Sequence, residues 1–338
     1  MAADPAGSTG GAPARPLVVL TDPSVHAEAV ALLRARFEVL ILDSYPSEER
    51  LAEAAAGASA ILARLGTVTR RVIEAALHLR IVSRHGVGVD AVDLAAATEH
   101  GVVVTNTGAS NAAAVAEYTF ALLLALMRKV PQADAGMRAG LWQRTTQVGG
   151  ELEGRTLGIF GLGAIGGRVA RQGLGFGMKI LACDPHPPAI MPEGVRLAGR
   201  EEVLAGADIV SLHTRLTDET RVMIDARALA AMKPGAVLVN TARGELVDEP
   251  ALIAALEAGR LGGAALDTFA EEPLAAESPL RRMPNVVLSP HVAGQTEEAL
   301  LRVGRAAAQA IIDELAGRRP ANVHNPEAYG RRPAARSQ

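Results

Sequence analysis

Residues 156–184 read TLGIFGLGAIGGRVARQGLGFGMKILACD, and this stretch constrains the fold more than any other part of the chain. A short apolar β run leads into Gly161, Gly163 and Gly166 at the spacing G-x-G-x-x-G. A helical segment follows, then a second β run, 179–184, that ends in Asp184. In a chain with 34 glycines the triplet alone says little; its place between strand and helix gives it meaning. Gly161 permits a tight turn, Gly163 admits a pyrophosphate close to the backbone, and Gly166 lets helix and strand touch. Free amides at the helix start favour phosphate. A carboxylate at Asp184, 18 residues past Gly166, suits a ribose 2′-hydroxyl and repels a 2′-phosphate, so the expected cofactor is NAD.

The same texture extends in both directions. Before the fingerprint, LVVL (17–20), EVLIL (38–42), SAILAR (59–64), LRIVSRHG (79–86) and GVVVTN (101–106) alternate with helical segments near 24–36, 47–56 and 69–76. Ser24 is the expected N-cap of the first helix. After the fingerprint come ADIVSLH (207–213), GAVLVNTAR (235–243), GGAALDTF (262–269) and NVVLSPH (285–291), then a long Ala/Leu-rich helix near 297–316. Apolar strands without period-2 polarity, separated by helices, indicate parallel sheets covered on both faces. Consecutive helices occupy 112–140, with a break expected at Pro131. At 338 residues, two α/β domains are the natural division.

Composition narrows the function classes. The net charge of −3, with no long basic run, argues against a nucleic-acid partner. The longest apolar run, FALLLALM, is too short for a membrane span, and the first fourteen residues lack the apolar core of a signal peptide. One cysteine, Cys183, permits neither an internal disulfide nor a cysteine-built metal site; no metal is expected and the cytoplasm is the expected location. Residues 1–14 and 326–338 read as flexible tails.

Ligands of open parallel sheets bind beyond the carboxyl ends of the strands. In the second half these ends carry His213, Arg243, the pair Glu271–Glu272, and His291. A cation, an acid and an imidazole suit one reaction, oxidation of an alcohol beside a carboxylate. Histidine exchanges the hydroxyl proton near neutral pH, and arginine grips a carboxylate with two parallel N–H groups. A carboxylate beside the imidazole favours its charged form. Spacing alone leaves Glu271 and Glu272 equivalent, and His213 reads as a cofactor-packing residue. His85, closing a strand of the first half, is a further candidate for substrate contact.

RHGVGVDAVDLAAATEHGVVVTNT, GIFGLGAIG, VNTARGELVDEPALIAALEAGRLGGAALDTFAEEP and SPHVAG, taken in order, resemble the NAD-dependent D-isomer-specific 2-hydroxyacid dehydrogenases over roughly residues 17–325. The resemblance implies a Rossmann domain, 109–292, inserted in a discontinuous flavodoxin-like substrate domain, 15–108 completed by 293–325. It implies a homodimer built on helices near 112–145. By position, Arg243 corresponds to the family's substrate arginine, His291 to its proton-transferring histidine, and Glu272, directly before Pro273, to its glutamate. Asp267 corresponds to an acid contacting the nicotinamide carboxamide. Gly161, Gly163, Ala164, Ile165, Gly166, Asp184, Thr214, Thr241, Ala242 and Gly294 fall at cofactor-lining positions. Arg64, Val87 and Gly88, with Arg243, fall at substrate-binding positions. The implied substrates are small (R)-2-hydroxy acids of the 3-phosphoglycerate, hydroxypyruvate or glyoxylate class. An NAD-sensing corepressor-like binding protein is the alternative the same resemblance allows. Where family members carry proline two residues after the His213 position, this chain has Arg215, which places a charge near the expected cofactor ribose.

Overall fold

The structure is a computed structural model that describes residues 15–331. The chain divides into two compact units, one running to Gly108 and resuming at Leu300, the other Ala109–Ala299. In the first unit, β1 (Leu17–Leu20), β2 (Glu38–Ile41), β3 (Ala58–Ala63), β4 (Ile81–Arg84) and β5 (Val103–Thr105) form a wholly parallel sheet in the order β2-β1-β3-β4-β5. The helices α1 (Ala27–Arg34), α2 (Glu48–Ala55), α3 (Arg70–Ala75) and α4 (Leu94–Glu99) make the crossovers. Both sheet faces are apolar because both are covered. Val19, Ile61, Val82 and Val104 pack under Leu51, Val72, Ile73 and Ala96, while Val18, Leu20, Leu62 and Ile81 pack under Ala29, Leu33, Ala308 and Ile311.

In the second unit, α5 (Ala112–Met127) and α6 (Val130–Arg138) precede β6 (Thr156–Phe160), α7 (Gly166–Gly175), β7 (Lys179–Cys183) and β8 (Val195–Leu197). Then follow α8 (Arg200–Gly206), β9 (Ile209–Leu212), α9 (Ala226–Ala231), β10 (Val237–Asn240), α10 (Glu249–Glu257), β11 (Gly263–Leu266) and β12 (Val286–Leu288). The seven strands are all parallel in the order β12-β11-β10-β9-β6-β7-β8. The order reverses between β6 and β9, and that switch point opens the crevice where such sheets bind ligands. Phe120, Leu123 and Val169 cover one face over Leu157, Ile159 and Val239, and Val203, Leu229 and Leu252 cover the other over Val210, Leu238 and Leu266. Full burial of one such leucine, Leu238 for example, is worth roughly 2 kcal/mol against an exposed position. The expected fold class, two doubly wound parallel sheets with the second inserted in the first, is what the structure contains. The last helix, α11 (Glu297–Leu315), returns the chain to the first unit.

Three local expectations need correction, and one element is new. Ser24 does not cap α1; its hydroxyl and amide go to the buried carboxylate of Asp22, and His26 caps the helix by accepting from the Glu28 amide at 3.2 Å. Pro131 does not break a helix either. It lies in the first turn of α6, where its missing N–H costs nothing, and the break falls at Lys129, which is left-handed with φ 54°. The edge strand β8 goes unforeseen. The tail expected from residue 326 is ordered as far as Arg331, as a 3-10 helix, Pro326–Arg331, whose Ala328 is buried. Asn325 anchors it, its side chain accepting from the Val104 amide at 2.8 Å and donating to the Val102 carbonyl at 2.9 Å. Residues 1–14 and 332–338, the rest of the expected tails, lie outside the described residues. Among the described residues no helix is long and apolar enough to cross a membrane.

Candidate active site

The glycine loop is built by close approach. The chain leaves β6 through Gly161 at φ 92°, and a Cβ there would stand 2.7 Å from the His213 carbonyl oxygen at the end of β9. A Cβ on Gly166 would fall 1.9 Å from the Gly161 carbonyl oxygen, so α7 can begin there only on glycine. Gly163 differs: a Cβ would meet nothing within 4 Å, and Gly163 and Ala164 are exposed. The loop therefore closes on its own backbone and leaves one open edge at the start of α7, beside Ile165 and the helix's first amides. Asp184, past the end of β7, is tied to this loop. Its carboxylate accepts from the Leu162 amide at 2.6 Å and the His186 amide at 2.8 Å. These residues fit NAD: the open edge at Gly163–Ala164 would hold the diphosphate, and the half-buried Asp184 would take a ribose hydroxyl.

At the end of β9, His213 is held 2.8 Å from the Ser211 hydroxyl, and burial pushes its pKa down to about 3. The imidazole is thus neutral and packs beside the Gly166 turn, with Thr214 following it half-buried. A histidine depressed in the folded state contributes stability that is complete above its unfolded pKa of about 6.5 and lost as pH falls toward about 3. We expect the melting temperature to fall through that window, with this one group contributing up to about 1.4 kcal/mol per pH unit. His213→Asn should flatten the slope, as melting curves between pH 7 and 4 would show.

Past β10, the side chain of Asn240 organises the turn that presents the arginine. It accepts from the Ala242 amide at 3.0 Å and donates to the Arg243 carbonyl at 2.8 Å. Thr241, expected to line the cofactor, is buried, with its hydroxyl 3.0 Å from that of Thr119 on α5. Gly244 then presses flat against the chain beyond β11. A Cβ there would lie 1.8 Å from the carbonyl carbon of Phe269. This contact brings the Arg243 turn against the segment carrying Glu272. Gly244→Ala must separate the two, and we expect a cost of about 3 kcal/mol, read as a drop of roughly 6–12 °C in melting temperature. Activity should fall further than stability.

Between the two candidate glutamates the geometry discriminates. Glu272 Oε2 lies 2.8 Å from His291 Nδ1, and Glu272 Oε1 accepts from the Phe269 amide at 3.1 Å, although both glutamates are exposed. Burial would raise the Glu272 pKa. The His291 hydrogen bond and charge, the Phe269 amide and the nearby Arg243 guanidinium outweigh it and hold Glu272 below its ordinary value. An ionised Glu272 only accepts, so His291 Nδ1 carries the hydrogen and Nε2 is left to take or give a proton. His291 itself is left-handed, at φ 54°. Asp267, expected at the nicotinamide, is fully buried, and its carboxylate accepts from Ser289 Oγ, Val292 N and Ala293 N. Burial raises its pKa despite these donors. Gly294 follows, a Cβ on which would stand 3.1 Å from Asn111 Nδ2. Asn240 and Ser289 are organising residues that sequence reasoning did not single out; Ser289 was in plain view in LSPH, and its partner Asp267 was not.

Arg64, Val87 and Gly88 belong to the first unit. Arg64 follows β3, and its Nε donates to the fully buried Asp22 at 3.1 Å and to Ser24 Oγ at 2.9 Å. Its Nη1 sits 3.1 Å from His85 Nδ1. His85 is buried rather than presented to a ligand, and burial, then the charges of Arg64 and Arg84, push its pKa down to about 3. The Val87 carbonyl accepts from Asn106 Nδ2 at 2.6 Å, which fixes the loop that continues into Gly88.

The family model for the NAD binding domain of D-isomer specific 2-hydroxyacid dehydrogenases matches residues 120–293. The D-3-phosphoglycerate dehydrogenase of Methanocaldococcus jannaschii is 42% identical over 312 residues, 91% of this chain and 59% of that protein. That of Mycobacterium tuberculosis is 42% identical over 305 residues, 89% of this chain and 57% of that protein. The chain therefore spans under two thirds of the length of these curated relatives. Among solved structures, the TT0316 protein of Thermus thermophilus superposes with a TM-score of 0.85 at 37% identity, covering 91% of this chain and 99% of that one. A glyoxylate reductase from Paecilomyes thermophila gives 0.83 at 29% identity, over 94% and 99%. With the glycine loop, Asp184 and the paired His291 and Glu272 already in place in the fold, these matches show that the chain belongs to the D-isomer specific 2-hydroxyacid dehydrogenase family.

Proposed function

We propose that the chain transfers a hydride between NAD(H) and C2 of a small (R)-2-hydroxy acid or the corresponding 2-oxo acid. The observation that carries this reading is the 2.8 Å pair of His291 Nδ1 and Glu272 Oε2, with the Arg243 guanidinium close enough to act on Glu272. NAD, when bound, supplies the hydride acceptor in oxidation and, as NADH, the donor in reduction. His291 takes the hydroxyl proton at Nε2 in oxidation and returns it to the carbonyl oxygen in reduction. Glu272 keeps Nδ1 protonated and orients the ring. Arg243 holds the substrate carboxylate through paired N–H groups. Gly161, Gly163, Ala164, Ile165, Gly166, Asp184, Thr214, Ala242 and Gly294 line the cofactor, with Thr241 and Asp267 behind them.

Arg64, Val87 and Gly88 are assigned to the substrate on the family resemblance alone, and so are the roles of the two units as substrate and NAD domains. The relatives named above point to the 3-phosphoglycerate, hydroxypyruvate and glyoxylate class; they are dehydrogenases and a reductase, which favours an enzyme over a corepressor. A homodimer through α5, α6 and the stretch after them is supported by exposed Val130, Met137, Leu141 and Trp142 on that segment. A cytoplasmic enzyme accords with the single cysteine.

The test is NADH consumption over glyoxylate, hydroxypyruvate, phosphohydroxypyruvate, pyruvate and 2-oxoglutarate. Steady turnover with at least one is expected. Tight NADH binding with no turnover on any of them would overturn the reading.

A further inference from the structure

We propose that Ser289 and Asp267 act together as positioning residues for His291, holding the turn that aims its imidazole at Glu272; this rests on the reaction proposed above. β11 and β12 are neighbours and end in register, Leu266 opposite Leu288. Asp267 and Ser289 are therefore the first residues past two adjacent strands. The Ser289 amide continues the ladder, donating to the Leu266 carbonyl at 2.9 Å.

From there the carboxylate and carbonyl of Asp267 and the carbonyl of Ser289 turn toward the histidine segment. Asp267 Oδ1 accepts from Ser289 Oγ at 2.6 Å and from the Val292 amide at 2.9 Å, and Oδ2 accepts from the Ala293 amide at 2.8 Å. The Asp267 carbonyl accepts from the His291 amide at 2.8 Å, with the Ser289 carbonyl a second acceptor at 3.1 Å. Donors on both sides of His291 thus converge on one residue. Between them His291 is at φ 54°, a conformation a residue with a Cβ adopts only when its surroundings impose it.

Burial makes the arrangement specific. Asp267 is fully buried and Ser289 is 8% exposed, whereas His291 and Glu272 are open to solvent. A carboxylate out of water with three donors in place is a fixed anchor, and removing one donor leaves an acceptor site that water cannot fill. The buried pair lies beneath the exposed pair and sets the backbone from which Nδ1 reaches Glu272. The structure assigns Asp267 a role through His291.

Ser289→Ala tests this. With the productive 2-oxo acid, kcat should fall about 10–100-fold while KM for NADH and for the oxo acid stay near their wild-type values. Ser289→Thr, which keeps the hydroxyl, should restore most of the loss. In a His291→Ala background, Ser289→Ala should lower the residual rate no further, because its effect runs through the missing imidazole. Asp267→Asn should lower kcat more strongly.

Normal turnover in Ser289→Ala, an unrescued Ser289→Thr, or an equal further loss on top of His291→Ala would overturn the positioning role. A raised KM for NADH with kcat retained in Asp267→Asn would return that residue to cofactor contact. Near-wild-type turnover in His291→Ala alone would instead sink the proposed reaction.

Discussion

His291→Ala should reduce turnover with the productive 2-oxo acid by ~10²–10⁴-fold, the range that a positioned acid/base supplies, and leave NADH binding intact. The separation follows from where the residues sit. The glycine loop and Asp184 lie at the ends of β6 and β7, and His291 lies past β12, four strands away from β6 in the sheet order. Removing the imidazole takes away the group that exchanges the hydroxyl proton and strips Glu272 Oε2 of its partner, leaving the Phe269 amide on Oε1. It leaves the loop's own contacts untouched: the 2.6 Å bond from the Leu162 amide to Asp184 and the approach of Gly166 to Gly161. Glu272→Gln should be milder, since a neutral amide keeps a hydrogen-bond partner on Nδ1 but removes the charge that strengthens the bond. Stopped-flow NADH oxidation together with fluorescence titration of NADH separates the two quantities.

Arg243→Ala carries the second large effect. Two charge-assisted hydrogen bonds to a substrate carboxylate are worth together roughly 3–6 kcal/mol, so kcat/KM should fall by ~10²–10⁴. Arg243→Lys should recover only part of this, because an ammonium offers a point charge in place of a planar pair of donors. The turn itself should survive both changes: Asn240 holds it through backbone atoms of Ala242 and Arg243. A melting temperature near wild type with collapsed kcat/KM is the expected signature. A variant that instead melts many degrees lower would place Arg243 in the scaffold.

The architecture was legible because a parallel sheet covered on both faces writes itself as uninterrupted apolar runs, and eleven of the twelve strands among the described residues could be read that way. β8 escaped because it is three residues long, has exposed Arg196 and Leu197, and pairs on one side only. Strand ends nominated Arg243 and His291 directly, since a polar residue just past an apolar strand is what the topology presents to a ligand. Glu272 could not be separated from Glu271 by spacing; the family resemblance pointed to it, and the 2.8 Å contact is its geometric counterpart. Contacts between residues distant in sequence were the least legible. Nothing local announces that Asp22 would capture Arg64, or that Gly244 must lie against Phe269. His85 illustrates the limit. Its position at a strand end marked it for substrate, yet it is buried against Arg64, because the positions around a strand end include inward ones.

The central claim is that hydride moves between the nicotinamide and C2 of a 2-oxo acid, with the proton exchanged at His291. The direct measurement is isotope transfer. NADH carrying deuterium at nicotinamide C4 is incubated with the oxo acid that supports turnover, and the product is examined by mass spectrometry and chiral separation. One deuterium is expected at C2 of the (R)-2-hydroxy acid, with a transfer rate reduced in His291→Ala as turnover is. Product without deuterium from either C4 face, or deuterium at C2 of the (S)-isomer, would contradict it.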